Sequence, residues 1–125
     1  MNIVDSSGWL EFFSDGPNAE AFAPIVQKTR ELIVPTVSLY EVFKRVLQQK
    51  DEGPALRAIA IMSQGRVVEL DATTALSAAK ISAISKLPMA DSIMLATTRA
   101  FNAVLWTQDA DFQGMDDVRY IRPKR

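Results

Sequence analysis

Residues 87–112 read LPMADSIMLATTRAFNAVLWTQDADF, and this stretch decides how the chain folds. A helical pattern starts near Asp91 and ends near residues 101–102, and an apolar strand follows over residues 103–106. The chain then leaves the strand through Thr107 and Asp109. One acid therefore stands at the start of the helix and another beyond the end of the strand.

The rest of the chain repeats this alternation of helices and short apolar strands. We predict the other strands over residues 1–5, 32–34, 66–70 and 118–121. The intervals between them read as helices, including a long one that starts at Thr36 or Ser38 and ends near Lys50. Such an order implies right-handed crossovers and an α/β fold in which helices cover a parallel sheet.

The composition limits the chemistry that this chain can perform. It contains no histidine and no cysteine, which excludes disulfides, Ser–His and Cys–His nucleophile pairs, and zinc sites built from thiolates or imidazoles. A bound metal would have oxygen ligands, which favours Mg²⁺ or Mn²⁺. The net charge is −1, so nucleic-acid binding would depend on local basic patches. We see neither a secretory signal nor a membrane-spanning run, and we expect a cytoplasmic protein without a membrane partner.

Several acids lie where a parallel sheet would gather ligands, although each also has a purely structural explanation. Asp5 follows the first strand and can cap a helix, and Asp91 lies in a first helical turn, where the helix dipole favours it. Asp109 and Asp111 lie in a turn, where Asp commonly bonds the backbone. Ligands bind beyond the carboxyl ends of parallel strands, and Asp5 and Asp109 both follow such ends. Converging carboxylates raise one another's pKa, and a divalent cation removes that conflict.

Glu41 allows two interpretations because of its position on the long helix. The predicted apolar face of this helix consists of Tyr40, Phe43, Val46 and Leu47. The predicted polar stripe consists of Glu41, Lys44, Arg45 and Gln48. Either Glu41 forms a surface ion pair with Arg45, or the stripe lines a cleft in which Glu41 binds a metal and Lys44 and Arg45 face a phosphate backbone.

Four short motifs resemble those of PIN domains, and most of all those of the VapC-type ribonuclease toxins of type II toxin–antitoxin pairs. The motifs are IVDSS, VSLYEVFKR, LPMADSIMLATT and VLWTQDADF, and they follow in this order over nearly the whole chain. The resemblance implies a PIN-like three-layer α/β/α fold with a central parallel sheet of four or five strands. It also implies that residues 1–125 form a single PIN domain.

The resemblance further implies a Mg²⁺- or Mn²⁺-dependent endoribonuclease that hydrolyses RNA phosphodiester bonds with a metal-activated water. The residues that match the catalytic and metal-binding acids of the family are Asp5, Glu41, Asp91 and Asp109. The residues expected to bind RNA are Ser7, Lys44, Arg45, Arg99 and Thr107. Ser7 matches a small hydroxyl after the first acid, Thr107 matches a threonine before the fourth, and Asp111 is given a secondary role at most.

The partners that the resemblance implies are the RNA substrate, a cognate VapB-type antitoxin and a second copy of the chain. Such an antitoxin lays a C-terminal segment into a groove, which aromatic residues of the early helices could line, although core positions are the commoner use of Trp9, Phe12, Phe13 and Phe22. Two other functions stay open: a catalytically degenerate PIN-like module that binds RNA or protein, and a metal-dependent DNA nuclease or phosphatase. The presence of all four acids argues against the degenerate module.

Overall fold

Five short strands form one parallel sheet in the order β3-β2-β1-β4-β5. The structure is a computed structural model that describes residues 1–124, and Arg125, the last residue of the predicted domain, lies outside the described residues. The strands are β1 (Asn2–Val4), β2 (Leu32–Pro35), β3 (Arg66–Val68), β4 (Val104–Thr107) and β5 (Val118–Tyr120). In the register of the sheet, Ile3 lies opposite Ile33 on one side and Leu105 on the other. The prediction of a parallel sheet of four or five strands is confirmed.

Helices cover both faces of this sheet. They are α1 (Ser6–Phe13), α2 (Ala19–Gln27), α3 (Thr36–Gln49), α4 (Glu52–Met62), α5 (Ala72–Ser85) and α6 (Met89–Ala100). Successive strand residues point to opposite faces, so Ile3 and Ile33 join one core cluster whereas Val4 and Val34 join the other. The cluster that contains Val4 also takes in buried residues of four helices, Trp9, Phe22, Val42 and Met62. The predicted three-layer α/β/α architecture is therefore confirmed.

Most element boundaries agree with the sequence prediction within a few residues, and the exceptions have local causes. The sequence favours a helix over residues 19–30, whereas α2 runs through Pro24 and ends at Gln27, before the 3₁₀ turn Thr29–Glu31. The sequence favours another helix over residues 55–63, whereas α4 begins at Glu52, because the Asp51 carboxylate accepts a hydrogen bond from the Gly53 amide at 3.1 Å and caps the helix. None of the helices within residues 1–124 is both long and apolar enough to span a membrane.

The predicted apolar face of α3 is wrong at Tyr40 and Leu47, whereas Phe43 and Val46 are half-buried. Tyr40 is 63% exposed and Leu47 is 43% exposed, whereas the fully buried residues of this helix are Ser38 and Val42. The small Ser38 side chain allows close packing, and its hydroxyl lies 3.7 Å from the Met94 sulfur on α6. This rotation of the helix turns Tyr40 outward and leaves Glu41 half-buried.

Candidate active site

The carboxyl end of the sheet brings the predicted acids together. Asp5 immediately follows β1, and Asp109 follows the neighbouring strand β4. Asp91 lies in the first turn of α6, which returns from this end of the sheet toward the start of β4. Glu41 lies in the second turn of α3, which begins directly after β2. We refer to these four residues and Asp111 as the acidic cluster.

Asp5 is the most enclosed member of the acidic cluster, with only 4% of its surface exposed. One carboxylate oxygen accepts hydrogen bonds from the Ser7 hydroxyl at 2.6 Å and the Gly8 amide at 3.1 Å. The other oxygen accepts a hydrogen bond from the Thr107 hydroxyl at 2.6 Å. Burial raises the pKa of Asp5 to about 6, although these hydrogen bonds act to lower it. Asp5 therefore caps α1 and faces the other acids at the same time.

The hydroxyl groups of Ser7 and Thr107 support the acids. Thr107 is fully buried, and its oxygen also accepts a hydrogen bond from the Asp109 amide at 2.9 Å. Ser7 in turn accepts a hydrogen bond from the Gln108 amide at 3.2 Å. The burial of the Thr107 side chain argues against its expected RNA contact, which stays a prediction. Ser7 is half-buried and lies at the wall of a groove.

Asp91, Asp109 and Asp111 lie closest to one another within the acidic cluster. One carboxylate oxygen from each lies within 4.8 Å of the others. Burial raises the pKa of Asp91 to about 7, with further upward contributions from the charges of the four other members of the cluster. Asp109 also accepts a hydrogen bond from the Asp111 amide at 2.9 Å, which caps the 3₁₀ turn Ala110–Phe112. This cap turns Asp111 toward the cluster, and the Asp-x-Asp spacing after a strand is the sequence signal for it.

Glu41 belongs to the acidic cluster and does not form the surface ion pair that one interpretation expects. Burial raises the pKa of Glu41, a hydrogen bond from Ser6 lowers it, and the charge of Asp109 raises it further. Within residues 1–124 the single salt bridge joins Arg99 to Asp117, so Arg45 does not pair with Glu41.

Two of the predicted RNA-binding cations lie beside the acidic cluster and one does not. Lys44 and Arg45 line a cleft of about 300 Å³ next to Glu41, which we call the α3 cleft. Arg45 also lines a groove of about 720 Å³ between α1, α3 and α4. Arg99 follows Asp91 by eight residues, roughly 12 Å along α6, and binds Asp117 at 3.1 Å just before β5. Arg99 therefore lies at the opposite end of the sheet from the acidic cluster, which argues against its expected RNA contact; that contact stays a prediction.

The acidic cluster fits a divalent cation that prefers oxygen ligands. Its donors are all carboxylates, and no cationic side chain among residues 1–124 pairs with them. The pKa values of Asp5, Glu41 and Asp91 are all raised, which shows that burial and mutual repulsion oppose their ionisation. Several carboxylate oxygens with room for water match the octahedral coordination that Mg²⁺ and Mn²⁺ adopt.

Comparisons with known proteins agree with this architecture. The family model of the PIN domain matches residues 3–118. A toxin–antitoxin complex from Klebsiella pneumoniae has a similar fold, with a TM-score of 0.79 and 20% identity over 97% of this chain and 100% of that chain. VapC20 from Mycobacterium tuberculosis, described as a sarcin–ricin loop cleaving toxin, gives a TM-score of 0.76 and 15% identity over 95% of this chain and 99% of that chain. VapBC2 from Rickettsia felis, bound to a DNA fragment from its promoter, gives a TM-score of 0.75 and 12% identity over 97% of this chain and 97% of that chain. No curated protein sequence matches this chain.

Proposed function

This chain belongs to the PIN domain family, and we propose from that premise that it is a Mg²⁺- or Mn²⁺-dependent endoribonuclease. We propose further that it is the VapC-type toxic component of a type II toxin–antitoxin pair, and that residues 1–125 form one PIN domain. The observation that carries the proposal is the acidic cluster, in which carboxylates from four separate stretches of the chain meet without a cationic partner among residues 1–124.

Each member of the acidic cluster has a proposed role in holding the cation. Asp91, Asp109 and Asp111 would hold it, and Asp5 and Glu41 would complete the site. Ser7 and Thr107 keep the Asp5 carboxylate in one orientation, as outer hydrogen bonds commonly do for metal ligands. When bound, the cation would supply an activated water for attack on the phosphodiester and would neutralise the charge that develops. Lys44 and Arg45 would attract the phosphates of the RNA.

The proposed partners of this enzyme are an antitoxin and a second copy of the chain. The groove of about 720 Å³ is a suitable receptor for a VapB-type segment because it combines apolar and basic side chains, which are Leu10, Phe13, Ile61, Arg45, Lys50 and Arg57. Of the aromatic residues expected near such a groove, Phe13 lines it, whereas Trp9 and Phe22 are buried in the core. A surface that supports dimer formation is α5, where Leu76 is 68% exposed and Ile84 is 83% exposed.

The deciding experiment compares RNA, single-stranded DNA and a small phosphodiester as substrates of one preparation. We expect RNA cleavage with Mg²⁺ or Mn²⁺, no cleavage in EDTA, and loss of cleavage in Asp5→Asn. Asp71→Asn is the matched control, because Asp71 caps α5 on the surface outside the acidic cluster and Asn caps helices equally well. Cleavage of DNA or of the small phosphodiester in preference to RNA would identify a different hydrolase. Absence of metal binding by calorimetry would identify a degenerate binding module.

A further inference from the structure

The α3 cleft contains an aromatic side chain that the proposed chemistry does not use. The cleft lies beside the acidic cluster, because Glu41 belongs to both. Its lining residues come from α1 and α3 and are Ser6, Leu10, Tyr40, Glu41, Lys44, Arg45 and Gln48. The cleft is polar and open to solvent on one side, so its occupant would be a flat or charged group that stays partly hydrated.

Tyr40 differs from every other aromatic residue within residues 1–124. It is 63% exposed, whereas the others are buried or half-buried. The neighbouring Val42 faces the core and is fully buried, so the exposure of Tyr40 follows from the orientation of α3. The Lys44 ammonium lies 5.7 Å from the centre of the Tyr40 ring, close enough for a cation–π contact. Proteins commonly bind single-stranded nucleic acids with an exposed aromatic ring and a cation beside it. A base stacks on the ring, and the cation binds a phosphate.

We propose that the α3 cleft is a nucleotide subsite, in which Tyr40 stacks against an unpaired base of the RNA next to the phosphate that is cleaved. Lys44 and Arg45 bind the phosphates on either side of that base. This inference rests on the proposed ribonuclease function, since it concerns the same substrate. It adds a binding residue, Tyr40, that lies outside the acidic cluster.

The subsite has a consequence for the kind of RNA that binds. A base can stack on Tyr40 only when it has left its own helical stack, so the cleft selects unpaired nucleotides over duplex. Stacking does not discriminate strongly between bases, because every base has a flat face. Tyr40 therefore acts on the affinity for single-stranded RNA, and its removal raises KM more than it lowers kcat.

The experiment measures binding of a short fluorescein-labelled oligouridine by anisotropy, in the Asp91→Asn background so that the RNA stays intact. Tyr40→Leu, which keeps an apolar side chain but removes the ring, is expected to weaken binding about tenfold, since stacking of one base is worth about 1–3 kcal/mol. Tyr40→Phe, which keeps the ring, restores the affinity. Leu56→Ala, an exposed position on α4 that lines neither the cleft nor the groove, leaves the affinity unchanged and serves as the control. Binding of the same strand paired with oligoadenosine does not respond to Tyr40→Leu.

Two results overturn the inference. One is equal affinity of Tyr40→Leu and its Asp91→Asn parent for the single strand. The other is a change in sedimentation on Tyr40→Leu, which would assign the ring to an interface between protein chains. Failure of the proposed function gives a different result, because the unaltered chain would then cleave no RNA with Mg²⁺ or Mn²⁺. Metal-dependent RNA cleavage together with equal affinities rejects the subsite alone.

Discussion

The two ends of the sheet differ in whether their charged side chains have partners. At the amino end Arg99 binds Asp117, and the Arg66 guanidinium lies 5.3 Å from the centre of the Phe101 ring. At the carboxyl end five carboxylates gather without a cationic partner among residues 1–124. Surface charges that form ion pairs stabilise the fold weakly. Carboxylates without a cationic partner in a half-buried site lower the stability of the fold, and such groups are typical of functional sites. The difference identifies the carboxyl end of the sheet as the candidate functional end of the molecule.

The largest expected effect follows from neutralising one acid at each end of the sheet. Asp91→Asn should lower metal-dependent RNA cleavage by about 100-fold or more, because charge stabilisation by a metal is worth several kcal/mol. Asp117→Asn, the same chemical change at the amino end, should leave the cleavage rate within about twofold, since a surface ion pair contributes little. Initial rates at saturating Mn²⁺ measure both. Equal rates in the two variants would remove the functional distinction between the ends.

The second effect is a dependence of stability on pH that arises at the carboxyl end. The pKa values of Asp5 and Asp91 are raised to about 6 and about 7 in the folded chain, from an ordinary value of 3.8. In EDTA the free energy of unfolding should therefore decrease as the pH rises from about 4 to about 7, because folding then retains protons that the unfolded chain has already released. The shift of Asp5 corresponds to about 3 kcal/mol, and the half-exposed Asp91 adds less than its shift implies.

Urea denaturation at several pH values tests this dependence. Adding Mn²⁺ should restore much of the lost stability at pH 7, because the cation binds the ionised carboxylates. Asp91→Asn should flatten the profile in EDTA. Asp71 gives a contribution of opposite sign, since a hydrogen bond from the Thr74 amide lowers the pKa of this exposed residue. A profile in EDTA that rises from pH 4 to pH 7 would contradict the assignment of uncompensated charge to this end.

A smaller effect should follow from removing hydrogen bonds that support the acids at the carboxyl end without changing the charge there. Thr107→Val keeps the shape of the side chain but removes its hydrogen bonds to Asp5 and to the Asp109 amide. We expect Mn²⁺ affinity to fall about 10- to 100-fold, as for other outer supports of metal ligands. Thr98→Val is the control, because the buried Thr98 hydroxyl bonds the Met94 carbonyl at 2.8 Å within α6. Calorimetry that finds the same Mn²⁺ affinity in both variants would reject the supporting role of Thr107.

The smallest expected effect belongs to the amino end. Arg99→Ala should lower the free energy of unfolding by about 0.2–1 kcal/mol, the usual value of an exposed salt bridge, and should not change RNA affinity. Arg45→Ala, which removes a cation beside the acidic cluster, should instead weaken RNA binding. It should also reduce the slope of log K against log salt concentration by about one. Salt titrations of RNA binding compare the two. A reduced slope in Arg99→Ala would contradict the placement of RNA at the carboxyl end.

The sequence predicted the fold and the convergence of two acids because both depend on local patterns. Asp5 and Asp109 follow strands, so their meeting follows from the topology of a parallel sheet, whereas Asp91 and Glu41 were expected from the family resemblance. The orientation of α3 could not be predicted in this way, because apolar residues occur on several sides of this helix. Only its packing, with the small Ser38 against Met94, fixes which side is buried. The position of Arg99 could not be predicted either, because its charge does not indicate the end of the sheet to which the length of α6 carries it.

The hydrogen bond between Thr107 and Asp5 joins residues that are 102 positions apart in the chain. During synthesis β1 therefore cannot pair with its neighbour β4 until the chain has been made as far as Thr107. An incomplete chain contains Asp5 without the threonine that orients it, and it lacks Asp109 and Asp111 altogether. The acidic cluster can form only after β4 and the turn that carries Asp109 and Asp111 have been made, so the order of translation delays the proposed activity until that point.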